Sequence, residues 1–176
     1  MKKLGLIFIF VFLTGIFSGL FFSTNLSAES NDTLSSLLLS AVNSPACSFT
    51  EAFTATFISN SVLLLLMLPA LFTKIFCFLP PLLLWYKSFA TGFCSGLIYI
   101  NASSNAFLIS LVKILPQNLF FIPAFVAIAF ITFNASINKK IRPAKNNNTL
   151  KHIIITAAVL IFVGSLTEAL LHLVAL

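Results

Sequence analysis

The sequence predicts an all-α, polytopic integral membrane protein with about five spanning helices, the N-terminus cytoplasmic and the C-terminus extracytoplasmic. Three observations carry that prediction. Only 8% of the residues are charged while 59% are hydrophobic, whereas a soluble domain carries about 25% charged residues. The apolar residues gather into runs near the ~20 that a helix needs to cross a bilayer. The basic residues sit between and beside those runs, where orientation signals belong. The chain of 176 residues accommodates one membrane domain, 1–176, and leaves little for a folded soluble part.

The first span, about 4–22, follows Lys2 and Lys3. It resembles a signal peptide, with Leu26-Ser27-Ala28 as a cleavage site. Its apolar core is long against the usual ~7–15 residues of such a signal, so it is expected to stay as a membrane anchor. The segment 23–51 is the long polar stretch: it holds Glu29, Asp32 and Glu51 and no lysine or arginine. Within it Leu34, Leu37, Leu38, Ala41 and Val42 recur at helical spacing, which suggests a short amphipathic helix lying on the membrane, with Thr33 as its cap. A partly ordered loop is the alternative.

The second span covers about 52–72, with Pro69 expected to kink its end. The third lies within 75–100, where Pro80 and Pro81 put the helix start at Leu82. The fourth covers about 106–133 and the fifth about 153–174. Between those two lies a basic loop, 134–152, with Lys139, Lys140, Arg142, Lys145 and Lys151 and no acid. With five spans, Lys2, Lys3 and Lys74 fall on the same side as that loop, and the segments 23–51 and 101–105 carry no basic residue. The positive-inside rule then makes the basic side cytoplasmic.

The charge of +6 is accounted for by these orientation signals, so no nucleic-acid partner is expected. Cys47, Cys77 and Cys94 form no CxxC pair, and no metal or cofactor is expected. Motifs of metalloproteases, serine hydrolases and phosphate loops are absent. No pair of carboxylates is placed for acid–base work, and an enzyme is not expected.

Packing signals are plain. Gly15 and Gly19 make a GxxxG in the first span, and Gly92 and Gly96 make another in the third. Two glycines four apart leave a bare stripe that lets another backbone come close. Contact between helices of this chain is the favoured reading, and recruitment of a partner helix the other. Gly164, Ser165 and Ala169 form a similar small-residue face.

Polar residues inside spans are more informative, because each charge there costs about 2.5–3.5 kcal/mol on insertion scales. Lys87, Lys113 and Glu168 are such residues. Lys113 lies roughly 10 Å into the fourth span and Glu168 roughly 24 Å along the fifth from the opposite side. In a core about 30 Å thick these depths nearly coincide, which suggests a Lys113–Glu168 ion pair, with Lys87 as the other possible partner. The run Leu115-Pro116-Gln117-Asn118-Leu119-Phe120-Phe121-Ile122-Pro123 places two amides between two prolines. Pro116 and Pro123 remove helical donors and so predict a break or bend around Gln117 and Asn118. In lipid the freed carbonyls need partners, and the two amides are suitable donors. They serve either their own chain or an interface.

That run, LPQNL followed by Ile122-Pro123, is similar to the signature of the stage II sporulation protein M family. Other pieces agree in order along nearly the whole chain. Leu13-Thr14-Gly15-Ile16-Phe17-Ser18-Gly19 resembles the family's first span. Phe57-Ile58-Ser59-Asn60 resembles the start of its second, where an asparagine is typical. Lys87 followed by Gly92-Phe93 resembles the third, and Glu168-Ala169 the last. Lys113 is not part of that pattern. The resemblance implies a role in endospore formation at the septum and engulfing membrane. It implies a non-catalytic scaffold holding two membrane-anchored wall hydrolases, the stage II sporulation proteins D and P, whose cutting of peptidoglycan drives engulfment. No small-molecule substrate is then expected. The alternative reading is a permease-like subunit of an ATP-driven transporter, because broken helices and intramembrane charges also mark permeases.

Overall fold

The computed structural model describes residues 2–43, 48–101, 115–137 and 148–173. These residues are almost entirely helical: α1 (Lys2–Thr24), α2 (Ala28–Asn43), α3 (Phe49–Met67), α4 (Leu79–Asn101), α5 (Leu115–Ile137) and α6 (Asn148–Leu173). Two 3-10 turns, Leu68–Leu71 and Lys74–Phe78, link α3 to α4. Among the described residues, four helical stretches are long and apolar enough to cross a membrane: Gly5–Thr24, Phe49–Leu71, Pro116–Ile137 and Lys151–Leu171. They correspond to the first, second, fourth and fifth expected spans. The third expected span becomes α4, which is long enough but diluted by prolines, Lys87 and small polar residues. The expected surface helix is α2, and Glu29, Asp32 and Leu37 on it are exposed.

Several boundaries differ from expectation for local reasons. Thr33 does not cap α2, which starts earlier, at Ala28. Its hydroxyl donates to the Glu29 carbonyl 2.9 Å away, inside the helix. Pro69 does not kink α3; the α-helix ends at Met67 and tightens into the 3-10 turn that Pro69 opens. Pro80 and Pro81 do not delay α4 to Leu82. They stand in its first turn, where no intrahelical N–H is required. The fourth span runs on to Ile137 rather than 133, because its late polar residues find partners. Thr132 Oγ1 donates back to the Ile128 carbonyl at 2.7 Å, and Ser136 Oγ reaches the Thr73 carbonyl at 3.2 Å.

The N-terminus of α3 carries a full capping box. Glu51 N–H donates to Ser48 Oγ (3.3 Å) and Ser48 N–H donates to Glu51 Oε2 (2.9 Å). Ser48→Ala is expected to lower stability by about 1 kcal/mol, read as a lower thermal midpoint of the purified protein in detergent.

Half of the most apolar window of α5 is buried, against 17% for α1, so α5 is the central helix and α1 lies at the rim. Phe121, Ala124, Phe125, Ile128 and Ala129 form its core face. Phe8 of α1 reaches that core edge-on to Phe133 at 5.4 Å. The outer face of α1, with Leu6, Phe10, Phe17 and Phe21, is exposed, as a lipid-facing stripe must be.

The two GxxxG stripes meet each other. A Cβ at Gly15 would collide with the Ser88 side chain and lie 2.8 Å from the Trp85 carbonyl. One at Gly19 would meet the Phe89 carbonyl and Phe93 N (2.7 Å), one at Gly92 the backbone of Ile16, and one at Gly96 the Ser23 side chain. Contacts climb both helices together, so α1 and α4 run parallel. Ser23 and Ser88 fit this seam because their hydroxyls bond back to Leu20 (2.7 Å) and Leu84 (2.8 Å) carbonyls on their own helices. The favoured intramolecular reading of both motifs holds, and neither stripe is left open for an outside helix.

Candidate functional site

The polar residues that stand out in the apolar spans converge on one cleft of about 400 Å³ between α3, α4, α5 and α6. From α3 come Thr56, Ser59 and Asn60; from α4 Lys87, Thr91 and Cys94. From α5 come Gln117, Asn118 and Phe121, and from α6 Glu168. The lining residues belong to the half of the bundle where α3 and α5 start and α4 and α6 end. That half is opposite the end at which α5 finishes and α6 begins.

Each side chain is placed by its helix. Asn60 is 3% exposed. Its Nδ2 donates to the Thr56 carbonyl one turn earlier at 2.8 Å, which turns Oδ1 the other way, buried and without a hydrogen-bond partner. Gln117 Oε1 is likewise buried, with no hydrogen-bond partner among the described residues. On α4, Lys87, Thr91 and Cys94 stand at i, i+4 and i+7, one stripe of a helix. The Thr91 hydroxyl is occupied by the Lys87 carbonyl at 3.0 Å. The Lys87 ammonium lies 5.2 Å from the Phe121 ring centroid and 5.8 Å from that of Phe125, within the ~6 Å range of cation–π attraction. Gly164 makes room for this platform, since a Cβ there would press to 2.6 Å from the Phe121 ring. The small-residue face of α6 therefore supports the site, with Ser165 and Ala169 buried beside it.

The cleft brings together Asn60, Lys87, Gln117, Asn118 and Glu168. Lys113 lies outside the described residues, and with it the expected Lys113–Glu168 pair. Lys87, the other possible partner, lines the same cleft as Glu168. Gln117 and Asn118 stand with Pro116 in the first turn of α5, and Pro123 is carried inside the helix; the part of the expected fourth span before Leu115, where a break would show, lies outside the described residues. The Gln117 amide oxygen, an acceptor, stays buried without a partner among the described residues. Gln117→Leu is accordingly expected to leave the thermal midpoint unchanged or raise it, because a buried acceptor without a partner costs about 1–3 kcal/mol. A clear drop in midpoint would show that Gln117 is paired.

Sequence reasoning missed Phe121 and Phe125 as the seat of the lysine, and Thr56, Ser59, Thr91 and Cys94 as lining. The i, i+4, i+7 stripe on α4 was the available signal. Among the described residues, no group of three or more His, Cys, Asp or Glu is placed to hold a metal ion.

These features define a polytopic helical membrane protein built around an intramembrane polar cleft. The profile of the SpoIIM family, Stage II sporulation protein M, matches residues 8–171, nearly the whole chain. The chain belongs to that family and is a sporulation-related membrane protein. No curated protein matches it, and no solved structure matches it.

Proposed function

We propose that the protein is a non-catalytic scaffold in the sporulation septum and the engulfing membrane. It recruits and holds membrane-anchored peptidoglycan hydrolases of the stage II sporulation D and P type, and cuts nothing itself. The family match over residues 8–171 carries this reading. The exposed helix α2 offers a surface on the wall side, where hydrolase domains work.

Five crossings suit this role, and the parallel α1–α4 seam supports them. Two parallel neighbours joined through one antiparallel span, α3, require α4 to cross in the same direction as α1. The cytoplasmic N-terminus then follows from the basic residues.

Affinity capture of the tagged protein from sporulating cells in mild detergent, followed by mass spectrometry, tests the proposal. Recovery of the two wall hydrolases supports the scaffold. The cleft with Lys87 and Glu168 inside the membrane favours a second reading, a permease-like subunit. Recovery of an ATPase without hydrolases would select that reading instead.

A further inference from the structure

The cleft holds two kinds of hydrogen-bonding group. Asn60 Oδ1 and Gln117 Oε1 are buried acceptors with no donor among the described residues. Lys87 Nζ has three donors, and it lies over two aromatic faces in the cleft it shares with Glu168. In lipid such groups are costly unless satisfied, and the two sets do not satisfy each other. Among the described residues the lining carries one charge of each sign, Lys87 and Glu168, so a net-neutral occupant adds no uncompensated charge to them. Its volume of about 400 Å³ falls in the range of small-ligand sites, roughly 300–1,000 Å³.

We propose that this cleft binds a small zwitterionic group with a primary ammonium at one end and an anion at the other. The ammonium donates to Asn60 Oδ1 and Gln117 Oε1, and the anion, a phosphate or carboxylate, accepts from Lys87. An ethanolamine-phosphate lipid headgroup and a free soluble zwitterion share this chemistry. The proposal revises the expectation of no small-molecule ligand. It is independent of the scaffold role, since capture of hydrolases moves neither its premises nor its test.

The test is native mass spectrometry of the delipidated full-length protein. It is titrated with phosphatidylethanolamine, phosphatidylcholine or phosphatidylglycerol in mixed micelles, and separately with free phosphoethanolamine. Phosphatidylethanolamine is expected to bind about tenfold tighter than phosphatidylcholine, which has no N–H to donate, a difference of about 1.4 kcal/mol. It is also expected to outbind phosphatidylglycerol, which has no ammonium. Binding of free phosphoethanolamine as well would place the source in solution, and binding of the lipid alone would place it in the bilayer. Asn60→Leu and Gln117→Leu should erase the ethanolamine preference, and Lys87→Met should weaken both ligands. Equal binding of ethanolamine and choline lipids, or no binding of any probe, would overturn the proposal. The wild-type comparison decides even where a variant fails to fold.

Discussion

Gly92→Leu is expected to remove nearly all folded protein from the membrane. The first added carbon alone would strike the Ile16 carbonyl and stand 2.9 Å from the Ile16 Cα. Both are backbone atoms of α1 and cannot rotate aside, so the two helices would have to part along the seam. Overpacking usually costs about 1–3 kcal/mol, and a collision with backbone belongs at the top of that range or above. Gly5 supplies the control: a Cβ there meets nothing within 4 Å, so Gly5→Leu should accumulate and melt like the wild type. The comparison is made by abundance in the membrane fraction and by thermal unfolding in detergent. Equal behaviour of the two variants would refute the close α1–α4 seam.

Lys87→Glu should be nearly as damaging, and Lys87→Met distinctly less so. The glutamate would replace a cation over the Phe121 and Phe125 rings with a carboxylate facing their negative π-faces. It would also share the cleft with Glu168, setting like charges together inside the membrane. Any removal of the Lys87 charge leaves Glu168 less compensated, a cost of up to about 3–5 kcal/mol for a buried pair, and the glutamate adds like-charge repulsion to it. Methionine has similar length and no charge, so it forfeits the cation–π attraction and the charge facing Glu168 without adding repulsion. The same abundance and melting measurements rank the three proteins. Equal losses in both variants would assign the effect of Lys87 to shape rather than charge.

How much of this was legible in the sequence differs by kind of interaction. The helices around spans one, two, four and five followed from apolar length, and the two GxxxG motifs pointed to close helix contacts within the chain, but not to their meeting each other in the α1–α4 seam. Asn60, Lys87, Gln117, Asn118 and Glu168 stood out because polar groups are rare in lipid-facing sequence, and the structure gathers them in one cleft. What was not legible depended on context. Pro80 and Pro81 read as helix breakers, but at a helix start they break nothing. Phe121 and Phe125 look like any core aromatic among 21 phenylalanines, so only the approach of α4 shows that they seat a lysine. Thr91 and Cys94 were hidden for the same reason: hydroxyls and thiols inside membrane helices usually only pack.

The seam between α1 and α4 also fixes an order of events during synthesis. The first helix leaves the ribosome with Gly15 and Gly19 bare, and the residues that cover them, from Trp85 to Phe93, are made roughly 70 residues later, a delay of about 4–14 s at ordinary elongation rates. In that interval α1 resides in lipid without its mate, and any other helix with a small-residue stripe can compete for it. Translation of the stretch through Gly96 ends that window, so slowing elongation between α1 and α4 should raise mispairing of α1 more than slowing it anywhere after α4.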